Sequence, residues 1–291
     1  MPPTVIQHRG RPLLIFESEP DYLANNAAAG YWGPVASSID WCEQNYVVTF
    51  WVAEFFNTIS NAAFFCLGVW GVFIALRHRL EHRFVICHAG IALIGAGSAM
   101  FHGTLTHIGQ QGDETPMVVA TINWLLTLYF MDPAREARSA GIHRRCAWIC
   151  AVLCLFWSGL HWHYRFTVAF QAMIATLLTG GVVLISREWP KCTEPSVLAL
   201  GRFWYLFTAG AAFLLWLCDQ HFCDMLHALP SGVRNPQFHA WWHILMGING
   251  YIGPTFLSYQ RLVYLGKSPQ LRYTLCGLLP YVDSRHQDKS G

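Results

Sequence analysis

Seven long apolar runs follow one another through most of this chain, and they restrict it to a membrane-embedded helical fold. The runs are continuous and do not alternate between apolar and polar residues, which favours helices over the strands of a membrane barrel. Several are shorter than the roughly 20 residues that cross a bilayer as a helix, so we expect their helices to extend into the flanks. The runs cover residues 52–76, 84–101, 117–131, 146–160, 166–185, 203–217 and 238–259.

The low charge of the whole chain supports a membrane protein. Of its 291 residues, 54% are hydrophobic and 12% are charged, about half the charged share of ordinary soluble domains. A net charge of +2 does not favour nucleic-acid binding, and no protein partner is predicted. We expect one transmembrane domain at 31–266 between two tails, 1–30 and 267–291. The first tail lacks the basic start and long apolar core of a signal peptide.

The positive charges are distributed unevenly between the loops that join the runs. Fifteen of the 19 Lys and Arg residues follow runs one, three, five and seven. Cytosolic loops of membrane proteins carry this excess of positive charge. The sequence therefore predicts an all-α membrane protein, a seven-transmembrane helix bundle whose N-terminus faces the lumen or exterior and whose C-terminus faces the cytosol.

Three histidines fall at the same predicted depth near the lumenal side. His239 and His243 lie four residues apart at the start of run seven, so their rings share one helix face. His102 lies near the lumenal end of run two with Ser98 on the same face, and Asp113 precedes run three. Ionisable residues at membrane depth usually indicate function. Three imidazoles with an open fourth position are typical of catalytic zinc.

Each of these residues also has a simpler interpretation. The histidines could be interfacial residues bonded to carbonyls or lipid headgroups, and Ser98 could be a small residue at a close helix contact. Asp113 could be a helix N-cap. The tryptophans at 241 and 242 are expected in the aromatic belt of the membrane interface. A rival metal site on the same side, which we expect to be a solvated loop, would consist of His161, His163, Asp219, His221, Asp224 and His227.

Oxygen-bearing side chains cluster ahead of run one and inside its start. Such donors would suit a hard cation such as calcium, whereas a capping box over residues 40–43 would need no metal. Cys42 and Cys223 both fall on the predicted lumenal side, where a disulfide can form, although the sequence alone leaves the pairing of the ten cysteines open. The four oxygen donors are Asp40, Glu43, Asn45 and Glu54.

Four motifs in one order resemble those of the alkaline ceramidases, including the yeast-type phytoceramidases. They are "GYWGPVASSIDWCEQNYVVTFWVAEFFNTISN", "GSAMFHGTL", "DETPM" and "QFHAWWHILMG", and the similarity extends from about residue 30 to residue 266. These enzymes belong to a wider group of seven-helix zinc hydrolases that includes the adiponectin receptors. The resemblance implies hydrolysis of ceramide, phytoceramide or dihydroceramide to a sphingoid base and a fatty acid, in the membrane of the endoplasmic reticulum or Golgi.

The resemblance also implies roles for individual residues. It implies an acid–base role for Asp113, a role for Ser98 beside the metal, and a disulfide between Cys42 and Cys223. The family's usual "LLDELP" is "QGDETP" here, which predicts an altered acyl-chain pocket. Two other functions stay open: a seven-helix lipid receptor with a residual hydrolase site, and a transporter that uses the polar cluster as an ion path. The implied metal ligands are His102, His239 and His243 for zinc, and Asp40, the Trp41 carbonyl, Glu43, Asn45 and Glu54 for calcium.

Overall fold

Helices dominate the protein, and each predicted run coincides with helical structure. The computed structural model describes residues 30–229, 234–275 and 277–284. The long helices are α2 (Ala62–Arg77), α3 (His82–Thr104), α4 (His107–Tyr129), α6 (Ala140–Tyr164), α7 (Thr167–Ser186), α9 (Tyr205–His221) and α11 (Phe238–Tyr264). The shorter ones are α1 (Phe55–Ser60), α5 (Pro133–Arg138), α8 (Pro195–Leu198) and α10 (Cys223–His227). A 3-10 turn at Trp189–Lys191 and a π-helical stretch at Ala199–Trp204 complete the helical structure.

Five helical segments among the described residues are long and apolar enough to cross a membrane. They are Phe55–Arg77, His82–Thr104, Arg145–Tyr164, Thr167–Lys191 and Pro195–His221. The other two long helices, α4 and α11, carry more polar residues, and those residues are largely buried inside the bundle. The outward faces of α6 and α7 are apolar instead, as Trp148 and Val183 illustrate. This distribution is that of a multi-pass membrane protein, with the polar helices inside.

Helix α11 is the central helix of the bundle. It packs against α2, α3 and α9, and it buries residues along nearly its whole length. Close packing depends on glycine where α3 meets α4, because a Cβ atom on Gly97 would overlap the carbonyl oxygen of Gly112. The predicted close helix contact at this small-residue segment is therefore present. It brings the residue after Gly97 directly against α4.

Helix α4 starts much earlier than run three predicts. Its first residue is His107, and the Thr106 side chain caps it by accepting a hydrogen bond from the Gly109 N–H at 3.1 Å. The first turns of α4 carry polar residues, so the apolar run covers only the later part of the helix. Asp113 consequently lies inside the helix and is buried, so the interpretation as an N-cap is wrong.

The C-terminal region contains a β-hairpin that the sequence pattern did not predict. Strand β1 (Gln270–Thr274) pairs antiparallel with β2 (Leu279–Asp283). The Tyr251 hydroxyl donates to the Pro280 carbonyl at 2.6 Å, and His78 Nδ1 lies 3.0 Å from an Asp283 oxygen. Part of the expected C-terminal tail is thus a folded β-hairpin that contacts α11 and the end of α2. The fold is therefore not purely helical.

Candidate metal centre and adjoining cavity

Three buried histidines from two helices meet at one end of the bundle. His102 lies in the last turn of α3, whereas His239 and His243 lie in the first two turns of α11. One ring nitrogen of each lies within 4.8 Å of the others, and each side chain is at most 2% exposed. The three predicted histidines therefore come together, and the simpler interpretation as headgroup-bonded interfacial residues does not fit rings that are almost fully buried.

The hydrogen bonds of two of these rings determine which nitrogen is free. The Ser60 hydroxyl donates to the Asn57 carbonyl at 2.9 Å, so its oxygen is the acceptor for His243 Nδ1, also 2.9 Å away. His102 Nδ1 contacts a carboxylate oxygen of Glu54. Because both Nδ1 atoms face acceptors, they carry the protons. The Nε2 atoms of His102 and His243 keep their lone pairs for a ligand.

His239 is held by stacking and through its backbone. Its ring stacks on that of Trp41 with centroids 3.6 Å apart, and on that of Trp242 at 5.3 Å. Its backbone N–H donates to Asp219 at 3.2 Å. Trp242 is therefore part of the site and not of an outer aromatic belt, whereas Trp241 is 53% exposed.

The nitrogens of this cluster fit a metal ion. Nε2 of His243 and Nδ1 of His239 are buried without a hydrogen-bond partner among the described residues. Leaving a buried polar atom unpaired costs about 1–3 kcal/mol, a cost that a bound cation removes. A carboxylate or hydroxyl behind each metal-binding imidazole is the usual supporting arrangement. Glu54 and Ser60 supply it here.

Ser98 and Asp113 lie together beside this cluster. Both are buried, and the Ser98 side chain lies beside the Asp113 carboxylate. The close approach of α3 and α4 at Gly97 makes this contact possible. Asp113 also lines a cavity of about 720 Å³ together with His239 and His243. A potential base and two potential metal ligands therefore face one space.

A second cavity of about 750 Å³ adjoins the space beside the histidines. The two cavities share Met117, Ile174, Leu178 and Trp242 in their walls. Apart from the polar groups at one end, their walls are predominantly aliphatic and aromatic. An elongated ligand with a small polar centre and long apolar chains fits such a combined space.

The acidic residues at 40–54 form a buried polar loop against the metal cluster. Glu43 accepts the backbone N–H groups of Phe56 and Asn57 at 2.7 and 2.8 Å, which caps α1 from a distance. Burial is the main reason that the pKa of Glu43 rises to about 7, although backbone N–H groups oppose this shift. Asn45 donates to both oxygens of Asp40. A carboxyl with a raised pKa gains from a cation nearby.

The alternative capping box at 40–43 is wrong, because no helix follows these residues; the first helix among the described residues starts at Phe55. Glu54 was singled out only as an oxygen donor for calcium. In the structure its two oxygens accept from the Trp41 N–H at 3.0 Å and from Asn57 Nδ2 at 3.0 Å, besides contacting His102. Glu54 therefore joins the acidic loop to the metal cluster.

Cys42 and Cys223 form a disulfide with Cα atoms 5.3 Å apart. It joins the acidic loop to α10, next to the metal cluster. The Cys42 backbone N–H donates to Asp219 at 3.3 Å. Asp219 thus bridges the disulfide and His239 through two backbone N–H groups.

The rival metal site does not assemble among the described residues. His161 contacts Glu114, Asp219 contacts the backbone near the disulfide, and His227 Nε2 lies 2.7 Å from the Cys42 carbonyl. His227 also groups with Cys42 and Cys223, but those two sulfurs are bonded to each other. The segment expected to be a loop includes the short helix α10.

Several residues of the site went unrecognised in the sequence. Ser60 lies within an apolar run and is 183 positions from the histidine it contacts. Glu114 follows Asp113 and lines the same cavity, but only the structure reveals its contact with His161. A polar residue inside an apolar run is the one signal that pointed to Ser60, and it named no partner; Glu114 lies ahead of run three.

Comparison with known proteins places the whole site in one family. A sequence model of the ceramidase family matches residues 33–283, which includes the acidic loop, the three histidines and the β-hairpin. An alkaline ceramidase of Arabidopsis thaliana is 34% identical over 257 residues, covering 87% of this chain and 95% of the relative. Alkaline ceramidase 3 of Mus musculus is 32% identical over 269 residues, covering 89% and 97%.

A more distant relative agrees with these two. Alkaline ceramidase YPC1 of Saccharomyces cerevisiae is 28% identical and covers 89% of this chain and 94% of its own length. The matches extend over nearly the full length of each relative, so they concern the entire bundle and not a local motif. The chain belongs to the ceramidase family.

Proposed function

We propose that this protein hydrolyses the amide bond of ceramide-type lipids within the membrane, releasing a sphingoid base and a fatty acid. The observation that carries the proposal is the shared cavity of Asp113, His239 and His243, which adjoins a second cavity with largely apolar walls. Membership of the ceramidase family supports an amide lipid as the substrate. The names of the relatives point to the same reaction.

His102, His239 and His243 are the proposed ligands of a zinc ion. The free Nε2 atoms of two of them, the buried unpaired nitrogens and the supporting Glu54 and Ser60 fit this ion. Zinc held by three imidazoles supplies Lewis acidity and activates a water molecule. The protein's contribution is to hold the rings, exclude bulk water and present the amide.

Asp113 is the proposed proton carrier. Its carboxylate takes the proton of the attacking water and passes it to the nitrogen of the leaving amine. The Ser98 hydroxyl lies beside Asp113 and is placed to donate to the oxygen that carries the charge. As Asp113 takes up the proton it becomes a weaker acceptor, so the Ser98 hydroxyl can turn to the developing oxyanion.

A calcium ion is proposed for the acidic loop. Asp40, the Trp41 carbonyl, Glu43, Asn45 and Glu54 are its candidate ligands. The Asn45 side-chain oxygen is buried without a hydrogen-bond partner among the described residues, and oxygen donors of this kind suit calcium. Since Glu54 also contacts His102, an ordered loop would steady the metal cluster.

The membrane arrangement is part of the proposal. All seven long helical segments would cross the bilayer, with the site near the lumenal leaflet and the C-terminus in the cytosol, in the endoplasmic reticulum or Golgi. The distribution of Lys and Arg supports this orientation. A tag placed after Gly291 should be accessible from the cytosol without permeabilisation. Accessibility from the lumen alone would refute the orientation.

Purified protein and a panel of ceramide, phytoceramide and dihydroceramide test the function. We expect release of both products, and a loss of roughly a hundredfold or more in turnover for Asp113→Asn and for Ser98→Ala. Both variants should keep their metal because neither residue is a proposed ligand. Binding of ceramide without product release by the unaltered protein would favour a receptor over an enzyme.

A further inference from the structure

Glu114 is a buried carboxylate in the wall of the reaction cavity that the proposed reaction does not use. It is 6% exposed and lines the same cavity as Asp113, His239 and His243. Most of the other lining residues are apolar, among them Phe101 and Met117. Carboxylates in such surroundings are costly unless they are paired. We therefore expect Glu114 to have hydrogen-bond partners and a function.

The partners hold Glu114 in one orientation. Gln110 Nε2 donates to one of its oxygens at 3.0 Å, and His161 Nε2 contacts the other. Gln110 is fixed in turn, because its side-chain oxygen accepts the Ser38 backbone N–H at 2.8 Å. The His161 ring stacks on Phe170 with centroids 5.2 Å apart. Residues from α4, α6, α7 and the segment just before the acidic loop thus position a single carboxylate.

The carboxylate oxygens of Glu114 can accept further hydrogen bonds. An ionised carboxylate has about four acceptor sites and no donor, and Gln110 and His161 occupy one on each oxygen. A buried polar contact by itself contributes little to stability compared with apolar packing. These contacts fix the Glu114 carboxylate at the cavity wall. This arrangement suits binding of a ligand that carries a hydrogen-bond donor.

We propose that Glu114 accepts a hydrogen bond from a hydroxyl on a carbon next to the nitrogen-bearing carbon of the sphingoid base, with His161 as the positioning residue. This inference rests on the proposed function, since it names the part of the substrate that the site recognises. The two carboxyls share one cavity: Asp113 serves the leaving nitrogen, and Glu114 lines the same space. The hydroxyls on the carbons beside the nitrogen-bearing carbon are the substrate donors closest to that nitrogen, so they are the candidates for Glu114.

This subsite selects hydroxylated amide lipids over lipids that lack the hydroxyl. A site built to pair with a hydroxyl discriminates strongly, because a substrate without it leaves the protein group unpaired. A hydrogen bond to a charged group corresponds to roughly 10- to 100-fold in relative rate. A lipid with the hydroxyl and one without it have the same carbonyl region and apolar chains. A difference between their hydrolysis rates therefore measures this one contact.

The test is a competition between ceramide and two analogues, one lacking the primary hydroxyl and one lacking the secondary hydroxyl. In a mixture, the ratio of hydrolysis rates gives the ratio of kcat/KM values, which does not depend on the fraction of folded enzyme. We expect the unaltered protein to prefer ceramide over at least one analogue by roughly 10- to 100-fold. Glu114→Met removes the acceptor and should reduce that preference to within roughly threefold, whereas Glu114→Gln keeps an amide oxygen and should lose the preference only in part.

Glu188→Gln is the matched control. Glu188 is also a buried carboxylate with two partners, Lys191 Nζ at 2.9 Å and the Tyr264 hydroxyl at 2.6 Å. It is absent from the residues lining either cavity. Glu188→Gln should keep the preference of the unaltered protein for ceramide even if the variant is less stable. A loss of folded enzyme slows the hydrolysis of every substrate by the same factor.

Three results would overturn the inference in different ways. A preference retained in both Glu114 variants would make Glu114 a structural residue that joins α4 to α6. Equal hydrolysis of ceramide and both analogues by the unaltered protein would show that the site recognises neither hydroxyl. If the unaltered protein hydrolysed none of the substrates, the proposed function itself would fail, and the subsite would fail with it.

Discussion

At the scale of single residues, the metal cluster depends on the groups behind the histidines. Imidazole binds a metal only through a nitrogen that keeps its lone pair, so the other nitrogen must hold the proton. Glu54 and Ser60 impose this arrangement on His102 and His243. The sequence reveals the histidine spacing, but it does not reveal which distant side chain faces each ring.

Ser60→Ala tests this support directly. We expect the affinity for zinc to fall by roughly 10- to 100-fold, because His243 loses the acceptor that holds its proton on Nδ1. The measurement is competition for zinc with a chelator of known affinity, performed on the purified variants.

Ser258→Ala provides the control for Ser60→Ala. Ser258 is a buried helix serine whose hydroxyl donates to a backbone carbonyl three residues earlier at 2.9 Å, as that of Ser60 does. Its variant should bind zinc like the unaltered protein. Equal zinc affinity in the two variants would show that Ser60 has no part in metal binding.

At the scale of elements, the loop at 30–54 acts as a cover over the ends of α3 and α11. Its backbone bonds to the end of α3, with the Ala53 N–H donating to the Gly103 carbonyl at 3.0 Å. The disulfide fastens it to α10, and Trp41 stacks on His239. Any ion that orders this loop therefore acts on the metal cluster as well.

Calcium should raise the melting temperature of the protein, and Asn45→Ala should remove most of that rise. Asn45 is the variant of choice because Glu43 also caps α1, so its loss would destabilise the protein with or without calcium. Thermal unfolding is measured with calcium, with magnesium and with a chelator. Identical calcium effects in the two proteins, or none in the unaltered one, would contradict a calcium site in this loop.

A second set of charges fastens the opposite end of the bundle. Glu136 on α5 lies 2.5 Å from Arg83 of α3 and 2.6 Å from Arg261 of α11. Burial alone would raise the pKa of Glu136, but the hydrogen bonds and charges of the two arginines outweigh it and hold that pKa below its ordinary range. This carboxylate thus stabilises the fold above its ordinary pKa, and the contribution disappears as the pH falls through the lowered value.

Glu136→Gln should therefore lower stability at neutral pH, at the lower end of about 1.5–3 kcal/mol because the group is partly exposed. The difference from the unaltered protein should shrink as the solution is acidified below about pH 4.5. Melting temperatures measured across this pH range check the prediction. Glu194→Gln removes an exposed carboxylate that accepts from Ser196, and it should change little; a difference for Glu136→Gln that persists unchanged in acid would contradict the assignment.

At the scale of the whole molecule, the apolar runs predicted the helices well and the polar contacts poorly. Continuous hydrophobicity is a local signal, so the seven helical segments could be located from it. The early start of α4 at His107 was missed because its first turns carry buried polar residues. The β-hairpin was missed because its anchors, Tyr251 and His78, lie far away in sequence. The pair of Glu114 and His161 needs two helices in contact before it can be recognised.

The most direct test of the whole account compares zinc content with ceramide hydrolysis in one preparation. We expect about one zinc per chain, loss of hydrolysis when the metal is removed, and recovery in proportion to the zinc added back. His243→Ala should retain neither zinc nor hydrolysis. Full ceramide hydrolysis by metal-free protein, or by a His243→Ala variant without zinc, would contradict it.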